Sequence, residues 1–368
     1  MKKIFPVILL IILLCVSEAY SLSIPEKYDL RDENRSPVSQ DQIKLETCWA
    51  FAAVGACESN YLTQNFTTSF DLDANELLDS DFSFKGKGDA FTAAALLSRR
   101  TGSVRLHDAF LLSKNHVPDN EIIKRLIMQY GAVYSGIYFD ETQHESYGDF
   151  TTYYNNSRGR ETNHDVMIIG WDDNFPLFRF TPRASRNGAW LVQNSWGKNK
   201  YFWIPYEQHI SGGTAFILDN NNNTRIYYHD ELGYCSAVAY NWSANIFRIS
   251  NDYEYLKAAS FYTPFNNTSY ELYIYEFGSV RPDSPVTGHL IASLKGECEL
   301  AGYHTVNFPE ELSIWYGEYF SVVLKLGRKI MPVETQRENY SDNAIINDHE
   351  SYFSTDGKNW LDGININS

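Results

Sequence analysis

Cysteine is scarce in this chain. There are five in 368 residues, and once Cys15 is set aside with an apolar leading run, only Cys48, Cys57, Cys235 and Cys298 remain. That excludes a disulfide-dense scaffold. No C-x-x-C pair exists, so neither a structural zinc site nor any other metal or cofactor is expected. Clusters of lysine and arginine are missing too: the formal net charge is -15, which argues against nucleic acid and anionic membrane surfaces as partners. Disorder is excluded by the 43% hydrophobic and 15% aromatic content, and the length suits two domains of ordinary size.

A long apolar run occurs at the very start. MKKIFPVILLIILLCVSEAYS reads as a secretory signal peptide over residues 1–21, with Lys2 and Lys3 as the basic segment and small residues near Ala19 and Ser21 for cleavage. The alternative is an uncleaved N-terminal anchor. A lipid-modified Cys15 is disfavoured because Leu14 precedes it, where that processing wants a small side chain. Either way the chain is expected to be exported, secreted or held at the cell surface.

The rest is organised around Pro37 to Tyr61, PVSQDQIKLETCWAFAAVGACESNY, which sets Cys48 at the mouth of a helix and Gln42 six residues before it. A thiol becomes a strong nucleophile as thiolate, and a helix N-terminus or a nearby imidazolium lowers its pKa. Thr47 is a candidate N-cap. Helices are also expected over residues 73–78, 90–99 and 120–130, the last ended by Gly131. Apolar β-rich runs follow at 133–139, 165–171 and 189–193, so the first domain reads as helices first and sheet second. The run DNNNNT from Asp219 marks a boundary, and beyond it short strands at 271–277, 289–294 and 319–326 predict an all-β sandwich.

Two further motifs carry chemistry. NHDVMIIGWDD places His164 just before an apolar strand, and WLVQNSWG places Asn194 at the end of another. Cys, His and Asn in that order suit a nucleophile, a general base and an amide that orients the imidazole. Asp165 is adjacent to His164 in a strand, so its side chain is expected on the opposite face. Cys57, nine residues along the helix from Cys48, reads as core packing. His107, His116, His144 and His209 have no motif around them and read as surface residues.

These motifs resemble those of the papain family of cysteine peptidases. The match runs over about residues 24 to 218, carried by QDQIKLETCWAFAA, NHDVMIIGWDD and WLVQNSWG, with LDANELLDS and IIKRLIMQYGAVYSGIYF in the expected order. The resemblance implies an α+β, two-lobed fold with Cys48 as nucleophile, His164 as base, Asn194 as orienting amide and Gln42 as oxyanion donor beside the Cys48 amide. It implies that Trp196 shields the His164 to Asn194 bond near the substrate. Gly86 and Gly88, in KGKGD where the family has its glycine-rich substrate loop, become candidate substrate contacts. The family's cysteine pair is replaced here by Leu45 and Ser80. A long inhibitory propeptide of the family's kind is not expected, since the extended segment from Ile24 begins a few residues after the apolar run.

The C-terminal region resembles the lectin-like β domain that follows the papain-like domain in some secreted bacterial and archaeal peptidases, through YYHDELGYCSAVAY, LKAASFYTPFNNTSYELYIYE and AGYHTVNF. Its last strand, after DGKNW, is expected to be missing or replaced. A Cys235 to Cys298 disulfide is left open, and the sequons at Asn65, Asn241, Asn267 and Asn339 permit glycosylation. The domains are thus expected at 22–222 and 223–368. The expected function is an exported cysteine peptidase acting on proteins or peptides, its β domain binding a surface, a glycan or substrate. The alternatives are an inert surface adhesion protein and an acyl transferase using the same Cys-His-Asn set.

Overall fold

The computed structural model describes residues 23–366 apart from 39, 43–44, 68, 79–87, 113–118, 141, 143, 148–149, 157–160, 198–199, 221–224, 231, 251–252 and 337–343. The leader, Ser80, Gly86, His116 and Asn339 therefore lie outside the described residues.

Helix α1, Cys48–Gln64, is the axis of the first lobe. Ala50, Ala52, Ala53, Val54, Ala56 and Cys57 are all essentially inaccessible, so the helix is buried nearly all round, as its small side chains allow. A 3-10 turn at Leu45–Thr47 leads into it. Thr47 occupies the N-cap position, but its side chain makes no capping bond. Asn65 ends the helix in the left-handed conformation, φ 53°. Around α1 pack α2 (Ala74–Leu78), α3 (Ala90–Ser98) and α4 (Asn120–Tyr130). Asp89 Oδ1 caps α3 by accepting from the amides of Phe91 at 3.0 Å and Thr92 at 3.1 Å. Gly131, φ 100°, closes α4.

The sheet beneath these helices runs, in order, through Arg105–Leu111, Thr214–Asp219, Val133–Ile137, His164–Asp172, Ala189–Gln193 and Tyr201–Pro205. The leading strand Lys27–Asp29 pairs antiparallel with the far end of His164–Asp172. Helix α1 packs on His164–Asp172 and Thr214–Asp219, which brings its N-terminus to the start of the histidine strand.

One strand departs from the sequence reading. Arg105–Leu111 lies between α3 and α4, so one strand enters before the last helix of a domain that otherwise runs from helices to sheet. Its polar residues Arg105, His107 and Asp108 mask it in sequence, and non-local neighbours on both edges make it a strand. One neighbour is Thr214–Asp219; the other is Gly302–Ile314 of the C-terminal region, through Gly302 opposite Phe110 and Tyr303 opposite Ala109. The main sheet thus continues across the seam to Gly302–Ile314 and Glu254–Thr263.

The C-terminal region is all-β. A second sheet of six strands, His289–Cys298, Thr268–Phe277, Tyr319–Leu326, Trp242–Arg248, Ser351–Ser354 and Leu361–Asp362, faces the strands beyond the seam. Leu272, Ile274, Leu324 and Leu326 from this sheet meet Ala259, Phe261, Phe308 and Leu312 from the other in one apolar cluster. After DGKNW the last strand is reduced to Leu361–Asp362, followed by a 3-10 turn. Cys235 and Cys298 are both free, so no disulfide joins them.

Side-chain bonds reinforce the seam. The Thr305 amide donates to Asp108 Oδ1 at 2.9 Å, and the Thr305 hydroxyl donates to the His107 carbonyl at 2.5 Å. His107 is half-buried there and pairs with Asp108 at 2.8 Å, rather than standing on the surface. Gly302, φ 146°, sits so close to its partner that a Cβ would fall 2.0 Å from the Ala109 carbonyl oxygen. Gly302→Ala must therefore shift the pairing. It is expected to cost roughly 1–3 kcal/mol, as strain at a backbone site of this kind does. Thermal or denaturant unfolding monitored by tryptophan fluorescence measures this, and an unchanged midpoint would show that the seam tolerates a side chain.

Candidate active site

Four elements meet at one end of the sheet. Cys48 is the first residue of α1, and His164 the first of its strand, paired with Ile137 of the neighbouring strand. Asn194 follows Ala189–Gln193, and Gln42 lies in the segment leading to α1. All four are buried, with exposures of 6% for Cys48 and Gln42, 4% for His164 and 1% for Asn194.

A single polar chain links three of them. His164 Nε2 lies 2.8 Å from Asn194 Oδ1, and the Ser195 amide donates to the same oxygen at 2.9 Å. A main-chain N–H can only donate, so this atom of Asn194 is its carbonyl oxygen and His164 carries its proton on Nε2. Nδ1 is left with its lone pair, ready to take a proton. The Gln42 amide donates to the Ser195 carbonyl at 2.8 Å, and the Ser195 hydroxyl donates to Gln42 Oε1. With its oxygen accepting from Ser195, the donating group of the Gln42 side chain is its NH2. Ser195 escaped the sequence reading, although it stands inside WLVQNSWG between two residues that were singled out.

Trp196 stacks on the imidazole with ring centroids 4.4 Å apart at 23°. Phe139 meets that indole edge-on at 4.8 Å. The rings cover the His164 to Asn194 bond, which strengthens it by keeping water away. Gly88 lies against Trp49, where a Cβ would sit 2.5 Å from the indole. Gly86 lies outside the described residues.

Asp165 makes a contact that strand alternation alone does not anticipate. The Cys48 thiol donates to its Oδ2 at 3.6 Å. The strand alternation still holds, but α1 enters across the strand end, so Sγ reaches the neighbour of His164. Burial and then Asp165 push the thiol up to about 12, against which the amides of Asp165 and Trp49 act in the opposite direction. The magnitudes explain the sign. A helix N-terminus contributes roughly 0.3–1 kcal/mol to an adjacent anion. Two like charges about 4 Å apart near a protein surface repel by about 4 kcal/mol. Burial also drives His164 down to about 4, partly offset by its bond to Asn194. Each ion alone is thus disfavoured by its surroundings.

Two other features lie apart from this site. A cavity of about 870 Å³ at the seam is lined by Arg99, Arg105, Tyr227, Tyr234, Tyr262 and Phe320 among others, and by none of the four residues above. The polar chain, not cavity volume, identifies the chemistry. Asp348, His349 and Asp362 in the β region are spaced to hold a metal ion, yet His349 Nδ1 already pairs with Asp362 at 3.2 Å.

Comparison with known proteins gives a consistent picture. The profile of the papain family cysteine proteases matches residues 24–109 and 99–210, and that of the lectin-like domain matches residues 226–367. The chain is 25% identical over 222 residues to the viral cathepsin of Heliothis zea nuclear polyhedrosis virus, covering 50% of this chain and 52% of that protein. It is 28% identical over 193 residues to a cysteine proteinase of Theileria parva, covering 47% and 40%. The chain therefore spans about half the length of these relatives. In fold it is similar to the clostridial cysteine protease Cwp84 after propeptide cleavage, with a TM-score of 0.78 and 24% identity over 91% of this chain and 94% of that one. The cysteine protease and lectin-like domains of Cwp84, a surface layer associated protein of Clostridium difficile, give a TM-score of 0.75 at 24% identity, covering 92% and 85%. Both architectures are thus present in one order, a papain-like fold followed by all-β sheets.

The depressed His164 pKa has a consequence for stability. In a Cys48→Ala background no thiolate can pair with the imidazolium. The unfolded chain there binds the histidine proton from about pH 6.5 downward, and the folded chain only near 4. Stability is then present above pH 6.5 and lost as the pH falls toward 4, by up to about 3 kcal/mol. Denaturation midpoints across that range test this. Adding His164→Ala should remove this part of the pH dependence, and an unchanged slope would contradict the burial of a neutral imidazole.

Proposed function

The chain belongs to the papain family of cysteine proteases, and from that premise we propose that it is an exported cysteine endopeptidase with Cys48, His164, Asn194 and Gln42 as its catalytic set. The observation that carries the reading is the continuous polar chain from Gln42 through Ser195 and Asn194 to His164, whose chain neighbour Asp165 accepts from the Cys48 thiol.

The reaction follows from that arrangement. Cys48 passes its proton to His164 Nδ1 as Sγ attacks the peptide carbonyl carbon. Negative charge moves to the carbonyl oxygen, where the Gln42 NH2 and the Cys48 amide stabilise it; one such donor is worth about 3–4 kcal/mol in a transition state. The tetrahedral intermediate collapses, the C–N bond breaks, and His164 gives its proton to the leaving amine. Water then attacks the thioester, losing a proton to His164, and release of the acid returns the thiol. Asn194 holds the ring in the useful tautomer throughout, and Trp196 excludes water from that bond. Gly88 is read as a contact for the substrate backbone, acting through its place beside Trp49.

The same reading assigns residues 1–21 to a signal peptide, 22–222 to the peptidase domain and 223–368 to the lectin-like domain. Secretion or attachment at the cell surface is in keeping with the surface-layer association of Cwp84. A binding role for the β domain, toward a glycan, a surface or the substrate itself, draws on its exposed rings. Tyr253, Tyr255 and Trp315 lie against one another, 43–64% exposed, and Tyr316 is 65% exposed. Exposed rings of this kind mark contact surfaces.

A thiol-directed epoxide should label Cys48 stoichiometrically, and Cys48→Ala should reduce peptide hydrolysis to background. Hydrolysis that survives this substitution would sink the mechanism.

A further inference from the structure

The cavity at the seam lies where the main sheet runs out. Two of its strands, Gly302–Ile314 and Glu254–Thr263, continue beyond the seam and face the second sheet. Glu254–Thr263 is the last of them and pairs on one side, with Gly302–Ile314. Past its other edge the second sheet goes on: Asn245 and Phe247 of Trp242–Arg248, and Phe320 and Val322 of Tyr319–Leu326, form a floor to the cavity. Its volume of about 870 Å³ is that of a ligand site.

The edge of that strand runs along the space. Every residue from Glu254 to Phe261 lines the cavity, which side chains alternating between two faces do only if the space lies along the strand's flank. Among the described residues, none of them forms a main-chain hydrogen bond except to Gly302–Ile314. A bulge at Lys257 interrupts that pairing, so the regular part of the edge begins at Ala258. The segment that joins the two regions forms the far bank. The Tyr227 hydroxyl donates to Glu254 Oε2 at 2.7 Å and its ring lies 5.4 Å from that of Phe320, while Tyr234 meets the ring of Tyr262 at 6.1 Å. This bank is therefore tied near each end of the strand, with the cavity between. A row of main-chain donors and acceptors along an open edge is a template for another strand.

We propose that this cavity is a strand-acceptor site: an extended segment of a protein partner, with apolar side chains at alternate positions, adds to the open edge of Glu254–Thr263 and lengthens the main sheet by one strand. The edge selects an extended main chain, because its donors and acceptors repeat at the spacing of a strand. The floor selects the side chains. Ala259 and Phe261 point into the apolar cluster between the sheets, so every second side chain of an added strand points the same way, onto Phe247, Phe320 and Val322. The side chains between them turn toward Ser98 and Arg99 at the end of α3, which favours polar residues there. A bound segment thus touches both the first lobe and the C-terminal region, continuing the sheet that already joins them. None of Cys48, His164, Asn194 and Gln42 lines the cavity, so the site stands or falls apart from the peptidase reading.

The test uses the full chain carrying Cys48→Ala, so that no probe is cut, and a fluorescein-labelled peptide of alternating valine and threonine with a lysine at each end. Its anisotropy should rise to saturation as protein is added. N-methylation of every valine, or of every threonine, strips one edge of the peptide of its donors, and one of these two changes should weaken binding by at least about tenfold. Serine in place of every valine should weaken it by a similar factor, through the lost apolar contact with the floor. Hydrogen exchange read by mass spectrometry locates the site without a substitution there: the bound peptide should slow exchange in the fragment that contains Ala258 to Phe261. A peptide that does not bind, that binds equally well with either set methylated, or that protects a different segment overturns the acceptor site. Protection of the same fragment by a neutral hexasaccharide and not by the peptide also overturns it, and gives the cavity to a sugar.

Discussion

The hydrogen bond between His164 and Asn194 is the constraint on which the site depends. Its direction is fixed by a neighbour, because the Ser195 amide can only donate and so assigns the oxygen of Asn194 to the histidine side. From that assignment follow the tautomer and the lone pair on Nδ1. Ser195 extends the same constraint to Gln42, so the Asn194 and Gln42 side chains are both held through one residue. The rings of Trp196 and Phe139 then keep the bond dry. Each of these contacts is modest alone, and their sum is a preorganised site.

The electrostatics around the thiol run against the simplest expectation. A helix N-terminus favours a thiolate, yet burial and the Asp165 carboxylate outweigh it, and the imidazole is disfavoured as a cation by the same burial. Burial thus opposes both the thiolate of Cys48 and the imidazolium of His164.

Much of this was legible in the sequence, and what was not has physical reasons. Cys48, His164 and Asn194 could be located because each sits at the end of a regular element marked by an apolar run, and Gln42 because it keeps a fixed lead over Cys48 along one short segment. Helix α4 was legible from its stop at Gly131, and α3 from the apolar run that follows KGKGD. Arg105–Leu111 was hidden, because its partners lie far away in sequence and its own residues carry little strand preference. The continuity of the sheet into the C-terminal region was hidden with it. The contact of Asp165 with the thiol was hidden because strand alternation says nothing about a helix that crosses the strand's end. Ser195 was overlooked because a hydroxyl between two recognised residues carries no spacing of its own.

The most direct test of the account is to catch the covalent intermediate. The mature protein would be mixed with a peptidyl ester, quenched in acid within milliseconds to seconds, and its mass and that of its proteolytic fragments measured. The account predicts one acyl group per chain, carried on the fragment containing Cys48 and formed in a burst before steady turnover, and a marked slowing of that burst in Asn194→Ala. An acyl group on another residue, or turnover with no adduct on Cys48, would contradict it.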